Sequence, residues 1–237
     1  MNKSKIYKLL LVAFSLVLFT GVNEAGTVCA GRDIKIMPIG DSVTQGGRKP
    51  GEYSYRLPLY KLLRQAGYKV NFIGSQHELK DEHFQWPADF DNDHEGYYGE
   101  TTWSVRDTFI ANTKTLPAPD IALIQLGNND LNHWNQFTAV ILPLYEIINQ
   151  LRTKYPKVTI LLSELNHDWL SSEYLRLHLR LLAIFENSEK SPIIMVPHYK
   201  NWNTKKDTFD SLHPNLNGQQ KMAHEWLKYI KEACKTK

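Results

Sequence analysis

The sequence predicts an α/β domain, a three-layer α/β/α sandwich around a central parallel sheet of about five strands. Three observations point there. The runs Asp120–Leu126 (DIALIQL), Lys157–Leu162 (KVTILL) and Pro192–Val196 (PIIMV) are almost continuously apolar, as strands covered on both faces are. Stretches with helical periodicity separate them, so strand and helix alternate along the chain. At 237 residues and 42% hydrophobic, the chain is large enough for one such core, and no repeat or linker divides it.

Ile34–Ile39 (IKIMPI) is the first strand. Tyr53–Ala66 follows as a helix with Tyr55, Leu59, Leu62, Leu63 and Ala66 on one face, closed by Gly67, and Lys69–Ile73 (KVNFI) is the second strand. Residues 75–101 break the rhythm. They are polar, acidic and aromatic, and much longer than the usual connection of about 4–6 residues, which marks a functional loop over the sheet edge. The third strand, Asp120–Leu126, leads into a helix from Phe137 to Thr153 with apolar residues at 137, 140, 141, 144, 148 and 151. Lys157–Leu162 and Pro192–Val196 are two more strands, separated by a helix from Ser172 to Glu186, and a last helix runs from Leu216 or Gly218 to Ala233.

The N-terminus reads as an address. Lys3, Lys5 and Lys8 precede an apolar run from Leu9 to Phe19, and Val28-Cys29-Ala30 offers a cleavage tripeptide before Gly31. The run is well short of the roughly 20 apolar residues that span a bilayer, so residues 1–30 are expected to be a cleaved signal peptide and residues 31–237 a secreted or periplasmic domain. A retained anchor or a lipid on Cys29 is the alternative. Cleavage after Ala30 would leave Cys234 alone, so a mature domain with no internal disulfide is expected. The charge of +3 comes from 28 basic and 25 acidic residues; without Lys3, Lys5, Lys8 and Glu24 the counts are 25 and 24. That balance gives no reason to expect a nucleic-acid partner. A monomer without stable membrane insertion is expected.

In open parallel sheets the ligand crevice lies at the carboxyl ends of the strands. Gly40-Asp41-Ser42 follows the first strand, Gly99 closes the long loop, Gly127-Asn128-Asn129-Asp130 follows the third strand, and Asp210-Ser211-Leu212-His213 follows the last. Ser42 needs a base to become a nucleophile, and His213 can serve, with Asp210 three residues earlier able to turn back and fix its tautomer. Backbone N–H groups of Ser42 and Gly99 and the side-chain amide of Asn129 can receive the oxyanion. Each block alone is also an ordinary turn composition. Their joint occurrence in this order, two of them directly at predicted strand ends, favours a serine hydrolase that needs no metal or other cofactor.

At these residues the chain resembles the SGNH or GDSL hydrolase superfamily, with the blocks PIGDSVTQG (38–46), HEGYYGETT (94–102), LGNNDL (126–131) and DSLHP (210–214). Within it, the segments GEYSYRLPLYKLLRQAGYKVNFIGSQ (51–76) and DNDHEGYYGETTW (91–103) are similar to carbohydrate esterases of family three, which include acetylxylan esterases. The resemblance spans residues 34–233. It implies the same fold, Ser42, His213 and Asp210 as nucleophile, base and orienting acid, and the same oxyanion donors. Tyr97-Tyr98 stand where relatives often carry His-Ser, a departure that bears on substrate detail.

The implied substrate is an acetylated carbohydrate such as acetylated xylan. The alternatives are a short-chain acyl-thioesterase or lysophospholipase with the same residues, and a noncatalytic carbohydrate-binding protein on the same scaffold. Asp41, Arg56, His94, Tyr97, Tyr98, Trp103, His133 and Trp134 are candidate substrate-contacting residues, with Arg56 also able to organise the serine loop. The acidic run Asp91, Asp93 and Glu95 lacks EF-hand spacing and reads as solvated or loop-capping rather than as a cation site.

Overall fold

A computed structural model describes residues 29, 33–81, 83, 85–167 and 170–235. The proposed signal peptide, apart from Cys29, lies outside the described residues. The elements run β1 (Ile34–Gly40), α1 (Ser42–Gln45), α2 (Arg56–Gln65), β2 (Val70–Phe72), β3 (Glu95–Gly96), α3 (Thr102–Asn112), β4 (Ile121–Gln125), α4 (Leu142–Lys154), β5 (Thr159–Glu164), α5 (Leu170–Phe185), β6 (Ile193–Pro197), α6 (Thr204–Asp207) and α7 (Leu216–Ala233). All described strand pairs are parallel, in the order β2-β1-β4-β5-β6. The two-residue β3 pairs with Ile39 and Gly40 of β1, beyond the part of β1 that β2 covers.

Side-chain alternation in the strands builds the two outer layers. In β4, Ile121 and Leu123 join α2 and α7 in one apolar cluster, centred on Leu59, Leu63, Met222 and Trp226. Ala122 and Ile124 join the other, with Val105 and Phe109 of α3, Leu144 and Ile148 of α4, and Leu175 and Leu179 of α5. β1 and β4 are neighbours, and the chain leaves β1 toward β2 on one side and enters β4 on the other. Their carboxyl ends therefore form the topological switch point where such sheets bind ligands.

The helix expected from Tyr53 begins at Arg56, because Ser54 sits at φ 65°, outside helical space. Phe137–Ile141 is helical but widened to a π-turn, closed by the Leu142 N–H on the Phe137 carbonyl. Pro143 has no N–H with which to continue the α pattern to Ala139. Helix α3 has no counterpart in the sequence expectation: its buried face is only Thr102, Val105 and Phe109, too sparse for periodicity to reveal.

Cys29 and Cys234 form a disulfide, which overturns the expectation of a domain without one. The expectation rested on cleavage after Ala30, which would remove Cys29 and is incompatible with a bridge to Cys234. The bridge fastens the segment leading into β1 to the end of α7 and closes 205 residues of sequence. By loop-closure entropy that constrains the unfolded chain by roughly 5 kcal/mol. Cys29→Ser or Cys234→Ser should therefore lower the unfolding free energy by roughly 2–5 kcal/mol in urea titrations. Equal stability of variant and wild type, both non-reduced, would show that the bridge carries no load.

Candidate active site

Ser42 opens the one-turn helix α1 immediately after β1. A Cβ on Gly40 would lie 2.2 Å from Thr44 Oγ1 and 2.6 Å from the Gln125 carbonyl oxygen, so only glycine lets the helix fold back over the strand end. Asp41 caps the helix by accepting the Val43 N–H at 3.0 Å. The far end is held from below. Ser54 Oγ bonds the carbonyls of Val43 and Thr44 at 3.0 and 2.8 Å, and the Arg56 guanidinium donates to the carbonyls of Thr44, Gln45 and Asn92 at 2.8, 3.2 and 2.6 Å. So short a helix cannot satisfy its own carbonyls, and this buried arginine does it instead. Burial lowers Arg56 to about 9, which leaves it charged at neutral pH.

The block after β4 fastens three segments. Asn128 Nδ2 donates to Asp41 Oδ2 at 2.8 Å, and its Oδ1 accepts from His167 Nε2 at 2.9 Å. Asn129 Nδ2 donates to the Glu100 carbonyl at 2.8 Å, which ties the Gly99 turn to β4 and leaves its second amide hydrogen for another acceptor. Asp130 accepts from the N–H and hydroxyl of Thr102 at 3.0 and 2.7 Å, at the start of α3. Gly99 has φ +80°, and nothing lies within 4 Å of where a Cβ would stand.

The last loop brings His213 and Asp210 to the serine. Ser211 sits at φ 71°, and the turn lets Asp210 Oδ1 accept the N–H groups of Leu212 and His213 at 3.2 and 2.8 Å. Asp210 Oδ2 is left to meet His213 Nδ1 at 2.8 Å. With Nδ1–H directed at the carboxylate, Nε2 is the acceptor, and it stands 3.0 Å from Ser42 Oγ. Burial raises the Asp210 carboxyl, but the hydrogen bonds and charge from His213 and the Leu212 N–H outweigh it and hold the group below the usual carboxylate range. The arrangement can deprotonate a serine hydroxyl and return the proton to a leaving group.

A sequence profile of the GDSL-like lipase/acylhydrolase family matches residues 39–221, the span that contains every element of this site. The chain belongs to that family. It is accordingly a carboxylic ester hydrolase. A multidomain esterase of Ruminococcus flavefaciens is 26% identical over 83% of this chain, which spans 28% of that protein's length. A family 3 carbohydrate esterase of Clostridium thermocellum is 28% identical, covering 86% of this chain and 98% of that one, with a TM-score of 0.68. A family 3 carbohydrate esterase from Talaromyces cellulolyticus, at 23% identity and a TM-score of 0.73 over 85% of this chain and 98% of its own, shares the fold.

Within this GDSL-type site the candidate substrate-contacting residues divide. Asp41, Arg56 and His94 have no exposed surface and cannot touch a substrate; they support the loops. His94 accepts the Gly96 N–H on Nδ1 and faces the Glu78 carbonyl with Nε2, and burial keeps it neutral. The Tyr97 phenol donates to Glu95 at 2.6 Å and accepts from Asn112, so this ring is spent on a structural network. Tyr98 instead stacks on the His213 ring, with centroids 5.3 Å apart and planes at 14°. Trp103 donates to the Thr138 carbonyl and carries Arg106 over its ring at 4.3 Å, which splints α3 to the π-turn. His133 and Trp134 stack on each other in the loop beyond Asn129, with Trp134 89% exposed. Of the acidic run, Asp91 accepts the Phe72 N–H and Glu95 the Ser75 N–H, both loop-capping bonds.

Sequence reasoning passed over Asn128 as a link, His167 and Glu52. His167 lies three residues past β5, at another strand end, a position that the priority given to strand ends could have flagged. Burial raises the Asp41 carboxyl from 3.8 to about 6. A carboxyl raised on folding favours the folded state below its unfolded value and costs stability as pH rises through its folded value, about 3 kcal/mol for this group. Asp41→Asn should thus flatten the fall in unfolding free energy between about pH 4 and 6, read from urea titrations. An unchanged slope would show that Asp41 does not titrate in that window.

Proposed function

We propose that the protein is an exported serine esterase that removes acetyl groups from carbohydrate, acetylated xylan or a related polysaccharide being the substrate that fits best. The observation that carries the reading is the unbroken relay from Ser42 Oγ to His213 Nε2 at 3.0 Å and from His213 Nδ1 to Asp210 Oδ2 at 2.8 Å. Ser42 Oγ attacks the ester carbonyl while His213 takes its proton. The oxyanion meets the N–H groups of Ser42 and Gly99 and the second amide hydrogen of Asn129. His213 protonates the leaving sugar alcohol, and a water it then activates releases acetate from the acyl-enzyme.

Three further observations support the choice of substrate and place. The family 3 carbohydrate esterases share this fold, and one of them is 28% identical. An exposed Trp134 beside the β4 loop offers a flat apolar face of the kind that meets a sugar ring. The Cys29–Cys234 disulfide fits an oxidising compartment outside the cytosol.

The test is acetate release from acetylated xylan, acetylated chitooligosaccharides and p-nitrophenyl acetate, set against hydrolysis of a long-chain p-nitrophenyl ester. Acetylated carbohydrate should be preferred, and Ser42→Ala should lose at least about a thousandfold in kcat. Preference for the long-chain ester would overturn the substrate class. Activity retained in Ser42→Ala would overturn the nucleophile.

A further inference from the structure

One buried acid close to the imidazole takes no part in the relay. Glu52, in the loop joining α1 to α2, is 3% exposed. Its Oε1 accepts the Tyr98 phenol at 3.2 Å, and its Oε2 is buried with no hydrogen-bond partner among the described residues. Tyr98 lies nearly parallel to the His213 ring, and its own N–H is held by Gln45 Oε1 of α1 at 2.7 Å. Asp210, by contrast, has a side chain 40% exposed, so water screens part of its field.

We propose that Glu52 and Tyr98 are positioning residues for His213: a second carboxylate, acting through an aromatic plate, that fixes the imidazole face and stabilises the imidazolium formed when Ser42 gives up its proton. The inference rests on His213 being the base. A phenol face attracts a cation, and a phenol whose hydrogen is given to a carboxylate does so more strongly. The acid itself sits in a dry setting where its charge is felt at longer range. This plate is specific to the Tyr97-Tyr98 departure noted in the sequence, since a serine at position 98 has no ring to lay on His213.

The charges around the pair are identifiable. Asp210 reaches His213 from its own loop and Asp41 from the end of β1, while Lys49 lies near Glu52 and Arg48 near the Tyr98 phenol. Lys80 stands 5.9 Å from the Tyr98 ring centroid. Burial raises the Glu52 carboxyl, and the nearby His213, Tyr98 and Lys49 oppose the rise. The loop itself is shaped by the main chain of Glu52, whose N–H donates to the Lys49 carbonyl and whose carbonyl accepts the Gly47 N–H. A change of side chain leaves those bonds in place.

The experiment measures kcat and KM for p-nitrophenyl acetate across pH, and the rate of Ser42 labelling by a fluorophosphonate, in wild type, Glu52→Gln and Tyr98→Phe. Removing a negative charge near the imidazolium should move the acidic limb of the kcat/KM profile in Glu52→Gln to lower pH by about half a unit or more. Its kcat should fall about fivefold to twentyfold with KM nearly unchanged. Tyr98→Phe, which keeps the ring and loses the link to Glu52, should move both quantities in the same direction by less. It also keeps the test alive if Glu52→Gln fails to fold. An acidic limb unmoved in both variants, or a change confined to KM, overturns the proposal. No labelling of Ser42 in the wild type overturns the underlying reading of the site instead.

Discussion

One buried carboxylate sets the geometry on which the site depends. A serine at the carboxyl end of a central strand has to turn its hydroxyl to the imidazole while the chain beneath it enters a close-packed sheet. Asp41 resolves this by using both of its oxygens, one on the Val43 N–H at the start of α1 and one on the Asn128 amide after β4. Asn128 passes the link to His167 beyond β5. Three strand ends are thereby joined by a single chain of hydrogen bonds, in a setting where each bond is strong and an unpaired group would be costly. The raised affinity of Asp41 for a proton is the cost of that placement.

The other loops converge on this fixed point. Arg56 and Ser54 gather the carbonyls that α1 cannot satisfy, Asn129 draws in the Gly99 turn, and Asp130 anchors α3 through Thr102. The loop bearing Asp210 and His213 is stiffened by its own carboxylate, which closes the turn with one oxygen and orients the imidazole with the other. The imidazole thus arrives with its tautomer already chosen. The match to the GDSL-like lipase/acylhydrolase family, over residues 39–221, spans all of these loops.

Much of this was legible in the order of residues. Continuous apolar runs announced buried parallel strands, Gly-Asp-Ser and Asn129 stood at strand ends where a crevice must lie, and Asp-x-x-His came in the segment after the last strand. The parts that escaped did so for physical reasons. For Arg56 the sequence offers both the serine loop and a helix surface, and its bond to the Asn92 carbonyl, 36 positions away, comes only with the fold. Glu52 carries no local signal because its meaning lies in Tyr98, 46 residues on, and in the ring that Tyr98 covers. Helix α3 is anchored by Asp130 and two apolar residues rather than by a broad apolar face. The disulfide was hidden by an assumed cleavage site one residue beyond its first cysteine.

The Asp41–Asn128 link sets the position of Ser42 at the head of α1. The direct measurement is the second-order rate of Ser42 labelling by a fluorophosphonate in folded Asn128→Ala, compared with wild type at the same pH. Loss of a buried bond that orients the nucleophile turn predicts a rate lower by roughly tenfold to a hundredfold, with far-UV circular dichroism unchanged. Labelling at the wild-type rate would mean that the turn holds its shape without Asn128, and would contradict the central claim.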